Sequence, residues 1–252
     1  MHRVFIEEKI SDLIRIRDED EVRHIGKVLR LQTGEEIEVV DAEGKEFVCR
    51  ILKIGKKEVE AEKLKERDEV REIGFRLQVY QGIPKGQKME LIVQKLTEIG
   101  VTDIHPVAFE RCVRQMKEEK EDKKIKRYEK IALEAAKQSK RTKLPKIHPV
   151  KEGKRLPEIL SENELNLLFY ENEEDLRLGE ILQEARQKRL KSIGVLIGPE
   201  GGLTKKEAEE LEEAGCRIVS LGRRILRTET AAITASSIVV YEMELRGGTC
   251  CG

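Results

Sequence analysis

The stretch SIGVLIGPEGGLTKKE, Ser192 to Glu207, decides the fold because it contains a complete junction between a strand and a helix. It begins with an apolar run typical of a buried strand. The run ends in the turn Gly198-Pro199-Glu200-Gly201-Gly202, after which Thr204 and Glu207 have the spacing of a capping box that begins a helix. A strand followed by a helix through such a turn is the repeating unit of α/β domains with parallel sheets.

The same alternation continues on both sides of this junction. Strand-like runs occupy residues 76–82, 102–109, 165–171, 192–198 and 217–221, and helical patterns occupy 88–99, 123–139, 175–190, 203–215 and a last segment from about Glu229. Gly100 is a plausible stop for the first of these helices. The pattern predicts an α/β domain over residues 71–252 around a mainly parallel sheet.

The N-terminal part has a different character. Between Val28 and Leu64, short alternating runs are interrupted by Thr33-Gly34, Glu43-Gly44 and Gly55, the pattern of hairpins in a small barrel. We therefore predict that residues 1–70 form a separate all-β module.

Composition excludes several classes of protein. The 252 residues carry 49 basic and 49 acidic side chains, so an anion-binding surface must be local. The five cysteines form no CxxC pair, which favours a reducing compartment, and the four histidines have no metal-ligand spacing and are interpreted as structural. No segment resembles a signal peptide or a membrane span. We expect a cytoplasmic protein with no metal and no membrane association.

A second unusual junction is LGRRILRTETAAITA, Leu221 to Ala235. Its arginines could simply be solvated, but Ile225 and Leu226 within the run and the small residues behind it are too apolar for a free surface, which favours a ligand-binding role. For the glycine turn, a ligand site and a plain tight turn both remain open. The turn is neither GxGxxG nor a P-loop, which disfavours nicotinamide dinucleotides and ATP.

Together, GPEGGLTKKE and LGRRILRTETAAITA resemble the paired signature of the RsmE family, SPOUT-superfamily methyltransferases that modify N3 of a uridine in bacterial 16S ribosomal RNA. The stretches KGQKMELIVQKLTEIGVTDIHPVAFERCV and RYEKIALEAAKQSKRTKLPKI resemble the family's first α/β segment and its basic middle segment. The β module resembles its PUA-like N-terminal domain, so the resemblance covers nearly the whole chain. Arg223 stands where many members have proline, and we assign it no chemical role.

The resemblance implies a SPOUT-type parallel sheet with a C-terminal trefoil knot, an exception to the rule that chains avoid knots. It also implies a homodimer and a pocket for S-adenosylmethionine in the knotted loops. Carried over by position, the cofactor-binding residues are Leu196, Ile197, Gly198, Gly201, Leu221, Gly222, Ile225, Leu226, Thr228 and Thr230.

The implied chemistry suggests catalytic candidates. Uracil N3 carries a proton, so catalysis needs a proton acceptor and donors for the charge that develops on the flanking oxygens. Arg227, and second Arg224, are the candidate donors, and Glu229 or Glu200 the candidate acceptor. Each glutamate could instead have a purely structural role. Glu229 would stabilise the first turn of its helix through the helix dipole, and Glu200 would hold its loop in place.

Basic residues suggest an RNA surface. Residues 137–146 carry five positive charges and no acid, which indicates either a binding surface for the phosphates of RNA or a solvated helix end. The predicted RNA contacts are Arg23, Lys27, Arg30, Arg111, Arg114, Lys140, Arg141 and Lys143. The expected partner is 16S rRNA, within the small ribosomal subunit. The alternatives are another RNA substrate or a catalytically silent RNA-binding or ribosome-assembly protein.

Overall fold

The computed structural model describes residues 1–112, 118–171 and 177–246. The chain divides into two compact units, a smaller one of Met1–Glu72 with Lys140–Lys143 and a larger one of Ile73–Ser139 with Leu144–Gly252. Arg114, a predicted RNA contact, lies outside the described residues. Within the described ranges, no helix has both the length and the apolar character needed to cross a membrane.

The smaller unit is built on a five-stranded mixed sheet. The strands are β1 (Arg3–Phe5), β2 (Leu13–Ile16), β3 (Glu36–Val40), β4 (Glu46–Ile54) and β5 (Val59–Arg67). Their order in the sheet is β1-β3-β4-β5-β2, in which β1 pairs parallel to β3 and the other neighbours are antiparallel.

This unit is not all-β as predicted, because a helix, α1 (Glu19–Arg23), follows β2 and continues into a π-helical turn, His24–Val28. The side chain of Asp18 caps α1 by accepting the backbone N–H of Glu21 at 2.9 Å. The acidic residues of the first turn interact favourably with the positive end of the helix dipole. The helix has only five residues, which is too short to show a clear apolar period, and for this reason the sequence pattern did not predict it.

Lys140–Lys143 joins the smaller unit through buried charges. Arg3 donates to the backbone carbonyls of Lys140 at 2.7 Å and Arg141 at 2.8 Å. Arg141 is itself only 3% exposed, and its guanidinium lies 2.7 Å from Glu72. Arg141 was predicted to contact RNA, but a guanidinium buried against a carboxylate is not available to a phosphate, so its role here is structural.

The larger unit is the predicted α/β domain. Its strands and α-helices in chain order are β6 (Arg76–Gly82), α2 (Lys88–Ile99), β7 (Asp103–Ala108), α3 (Glu118–Gln138), β8 (Lys146–Ile147), β9 (Lys151–Glu152), α4 (Leu156–Leu160), β10 (Leu165–Phe169), α5 (Leu178–Gln187), β11 (Ser192–Ile197), α6 (Lys205–Glu213), β12 (Arg217–Val219) and α7 (Thr228–Val240). The seven strands form one sheet in the order β12-β10-β11-β6-β7-β8, with β9 also paired to β7, and every pairing is parallel. The trefoil knot stays a prediction.

The local signals at the decisive junction are confirmed. Thr204 Oγ1 accepts the backbone N–H of Glu207 at 3.2 Å, and the Glu207 carboxylate accepts that of Thr204 at 2.8 Å, so both halves of the capping box form. Gly100 ends α2 with φ 108°, a left-handed conformation that favours glycine. The strand before the capping box, β11, lies between β10 and β6 in the sheet, and β10 in turn pairs with β12. The loops that follow β10, β11 and β12 therefore meet at one edge.

Candidate active site

A pocket of about 680 Å³ lies where the chain leaves β10, β11 and β12. This is the edge of a parallel sheet at which ligands usually bind, and the volume is that of a small-molecule site. Apolar side chains and glycine backbone make up much of its wall. The lining residues are Phe169, Tyr170, Glu171, Ile197, Gly198, Pro199, Glu200, Gly202, Leu203, Ser220, Leu221, Gly222, Arg223, Arg224, Ile225, Leu226, Arg227, Thr228 and Ala231.

Most of the residues predicted to bind cofactor come together in this pocket. Those that line it are Ile197, Gly198, Leu221, Gly222, Ile225, Leu226 and Thr228. Leu196 is instead fully buried in the core, and neither Gly201 nor Thr230 is part of the lining. The sequence motifs did not identify the wall formed by Phe169–Glu171, although the end of a parallel strand is itself a signal for a ligand site.

The glycine turn allows backbone segments to approach one another closely. A side chain at Gly82, the last residue of β6, would collide with the backbone of Pro199. Gly201 packs against Arg111, whose guanidinium donates to the carbonyls of Gly201 at 3.0 Å and Leu203 at 3.3 Å. Arg111, a predicted RNA contact, therefore braces this loop.

A hydrogen-bonded bridge centred on Thr228 joins three segments below the pocket. Thr228 Oγ1 donates to the carbonyl of Gly198 at 2.6 Å and accepts from Gln81 Nε2 at 2.8 Å. Both Gln81 and Thr228 are buried, so little water competes for these bonds. The bridge fixes the start of α7 against the end of β6 and the glycine turn.

A second bridge is ionic and centred on Lys88, the first residue of α2. Its ammonium lies 3.1 Å from Glu200 Oε1 and 3.4 Å from Glu229 Oε2. The Glu200 carboxylate also accepts the backbone N–H of Lys85 at 3.0 and 3.1 Å. Lys88 thus connects α2 to the glycine turn and to the first turn of α7.

These contacts bear on the two candidate proton acceptors. Burial alone would raise the pKa of Glu200, but hydrogen bonds from its own backbone, the Lys85 N–H and the Lys88 ammonium together lower it. The pKa of Lys88 is raised, mainly by its hydrogen bond to Glu200. A carboxylate held in this way is a weak base, which favours the loop-holding interpretation of Glu200.

The arginine run lies on the surface and not in the interior. Arg223, Arg224 and Arg227 are all exposed, and none of them forms a hydrogen bond or ion pair with any described residue. Ile225 between them is 85% exposed, so the expectation that the run is too apolar for a free surface is wrong. Arg223, Arg224 and Arg227 therefore all line the pocket without a described partner, and Arg224 and Arg227, the candidate donors, can donate to an anion there.

The other predicted RNA contacts lie in the smaller unit. Arg23 at the end of α1, Lys27 in the π-helical turn and Arg30 after it are exposed, and so are Lys140 and Lys143, on either side of the buried Arg141. Among the residues that the structure describes, none of these five side chains forms an ion pair. They remain available to phosphates.

Two of the histidines meet in a polar cluster within the larger unit. His148 Nε2 lies 2.9 Å from Asp103 Oδ1, and the His105 ring stacks on those of His148 and Tyr80 with centroid distances of 3.8 and 4.5 Å. Burial, reinforced by His148, lowers the pKa of His105 to about 3. Asp103 is already paired with Arg76 at 3.0 Å, and His105 Nε2 lies 3.0 Å from Gln78 Oε1, so partners within the protein account for this cluster.

Two family models match this chain. A family model described as an RNA methyltransferase domain matches residues 71–240, and one described as an RNA methyltransferase PUA domain matches residues 16–64. Ribosomal RNA small subunit methyltransferase E of Bacillus subtilis is 35% identical over 233 residues, which cover 91% of this chain and 90% of the relative. Its namesake from Aquifex aeolicus is 34% identical over 241 residues, covering 95% and 99%.

A solved structure extends the likeness to three dimensions. Ribosomal RNA small subunit methyltransferase E from Neisseria gonorrhoeae, bound to S-adenosyl methionine, has a TM-score of 0.84 and is 32% identical, covering 94% of this chain and 96% of that one. The signature loops, the matched domains and these relatives together show that the chain belongs to the ribosomal RNA small subunit methyltransferase E (RsmE) family.

Proposed function

We propose that the protein transfers a methyl group from S-adenosylmethionine to N3 of one uridine of 16S rRNA, position 1498 in bacterial reference numbering. The observation that carries the proposal is the pocket that both signature loops form beyond the ends of β11 and β12. The family membership and the cofactor bound to the Neisseria gonorrhoeae relative support it.

The residues present fit this cofactor. Ile197, Leu221 and Leu226 offer apolar contacts for an adenine ring, and Gly198 and Gly222 let a ligand approach the backbone. The cofactor, when bound, supplies an electrophilic methyl group for direct displacement. The protein's own contribution is then chiefly to align the uracil nitrogen with that methyl group.

The unpaired arginines suit the charge that develops on the base. When uracil N3 loses its proton, negative charge spreads over the two neighbouring carbonyl oxygens. Arg227, with Arg224 second, would donate hydrogen bonds to these oxygens or to the adjoining phosphate. Glu229 or Glu200 would accept the proton: Glu229 pairs with Lys88 and is not part of the pocket lining, whereas Glu200 lines the pocket but also holds the Lys85 N–H.

We place RNA docking on the smaller unit, through its exposed basic side chains Arg23, Lys27, Arg30, Lys140 and Lys143. The proposed substrate is 16S rRNA within the small ribosomal subunit.

The proposed assembly is a homodimer. Partly exposed apolar residues along α7, together with Tyr241 at 53% exposure, support the dimer. Light scattering that gives a monomer mass at working concentration would contradict it.

Calorimetric titration with S-adenosylmethionine tests the cofactor site. The chain offers a matched pair of variants, because Gly222 and Gly215 have φ of 103° and 93° and a Cβ at either would meet no atom within 4 Å. Alanine strains both backbones alike, but only Gly222 lines the pocket. We expect saturable binding by the wild type and Gly215→Ala and weaker binding by Gly222→Ala. A folded wild type that does not bind would favour the silent RNA-binding alternative.

A further inference from the structure

One carboxylate in the pocket lining has no partner within the described protein that would explain its position. Glu171 follows β10 and lines the pocket, yet it forms no hydrogen bond or ion pair with any residue the structure describes. Glu200, the other acid of the lining, is held by Lys85 and Lys88. An ionised side chain that faces a pocket without a partner is a candidate to bind ligand.

The glycine turn makes room for this carboxylate. A Cβ at Gly202 would collide with Glu171 Oε1, and would lie 2.9 Å from Cδ and 3.0 Å from Oε2. Gly202 has φ 66°, and its N–H donates to the carbonyl of Pro199 at 2.9 Å, so the turn is closed at this position. The last glycine of GPEGG therefore has two reasons to lack a side chain, its left-handed backbone and the Glu171 carboxylate beside it.

The charge of the pocket indicates from which group of the ligand Glu171 accepts hydrogen bonds. Arg223, Arg224 and Arg227 line the same pocket without partners among the described residues, so the lining carries an excess of free positive charge. That excess opposes the binding of an ammonium group beside Glu171. A neutral pair of vicinal hydroxyls meets no such opposition, and its two O–H donors match the two oxygens of a carboxylate.

We infer that Glu171 is a cofactor-binding residue that accepts hydrogen bonds from the 2′- and 3′-hydroxyls of the cofactor's ribose. An acidic residue serves ribose hydroxyls in the same way in dinucleotide-binding sheets, where it also lies at the carboxyl edge. The inference rests on the proposed function, because it assumes that an S-adenosyl ligand occupies the pocket.

Two ligands separate the ribose from the amino-acid part of the cofactor. S-adenosylhomocysteine contains both, whereas 5′-methylthioadenosine keeps the ribose and the sulfur but lacks the amino-acid part. In calorimetric titrations, Glu171→Gln should weaken both ligands by a similar factor of about 10 to 100, because hydrogen bonds to a charged acceptor are lost. Glutamine has nearly the same size, and thermal melting checks that the variant is folded. Glu212→Gln, on the exposed side of α6, is the matched control and should bind like the wild type.

The other outcomes are distinguishable. Weaker binding of S-adenosylhomocysteine with unchanged binding of 5′-methylthioadenosine would place Glu171 at the amino-acid part and overturn the ribose assignment. Unchanged affinity for both ligands would remove Glu171 from the site. A folded wild-type protein that binds neither ligand would instead overturn the proposed function, on which the inference depends.

Discussion

Arg227 combines a fixed backbone with a free side chain. It precedes α7 in an extended conformation, with φ −65° and ψ 150°, and its neighbour Thr228 is held by Gln81 and Gly198. The guanidinium itself has no partner among the described residues. Because its backbone is fixed and its guanidinium has no described partner, Arg227 can donate hydrogen bonds to a substrate without a rearrangement of the loop.

If Arg227 stabilises charge on the uracil, both Arg227→Lys and Arg227→Ala should be slow. Lysine keeps the charge but not the planar fork that can engage two oxygens. Losing such a donor costs on the order of a hundredfold or more in turnover. Single-turnover methylation of small ribosomal subunits at saturating S-adenosylmethionine measures the effect, and affinity for the cofactor should change much less.

Arg223→Pro is the internal control, since it introduces the residue common in the family at a position with no described partner. Its turnover should be nearly that of the wild type. Near-normal turnover in Arg227→Ala would exclude Arg227 from the mechanism and leave Arg224 as the next candidate.

Single residues also show where sequence patterns fail. Lys140 and Arg141 are adjacent members of one basic run, yet the first is exposed and the second is 3% exposed. The difference comes from Glu72, which lies 69 residues from Arg141 along the chain and 2.7 Å from it in space. Composition and spacing contain no information about that encounter, so the run could be predicted as a whole but not residue by residue.

At the scale of elements, Lys88 connects α2, the glycine turn and α7 through Glu200 and Glu229. Lys88→Met would leave two carboxylates without their shared cation, and we expect the turn to loosen and the Kd for S-adenosylmethionine to rise about tenfold. Lys88→Arg should bind nearly normally. Calorimetry and thermal melting on the same samples separate loss of the pocket from loss of the fold.

A matched control for this variant lies on the same helix. Lys95→Met removes an ion pair with Glu98 away from the pocket and should leave cofactor affinity unchanged. Adding Glu229→Gln to Lys88→Met should recover part of the affinity, because one unpaired charge is then removed. Wild-type affinity in Lys88→Met alone would show that the bridge does not support the site.

Elements with strong local signals are the ones that the sequence predicts. The capping box at Thr204 and the glycine stop at Gly100 both act within a few residues, and both form as expected. In contrast, β8 and β9 have two residues each and α4 has five, too few for a period to emerge. These short elements depend on packing against the rest of the unit.

The whole molecule forms its pocket from segments that are far apart in the chain. β10 lies between β11 and β12 in the sheet, and this order brings Glu171 beside Gly202 and the arginine loop near both. Resemblance to the family identified the two signature loops, but strand order is a long-range property that no local motif contains. The wall after β10 was missed for that reason.

The most direct test of the proposed activity is a mass-spectrometric map of 16S rRNA modifications in a bacterial strain that lacks its own family member. Without a complementing gene, one uridine should lack its N3-methyl group. Expression of the wild-type chain should restore methylation at that uridine alone, and Arg227→Ala, produced at the same level, should restore much less. A map that the wild-type chain leaves unchanged, or that gains a methyl group at a different nucleotide, would contradict the proposed reaction.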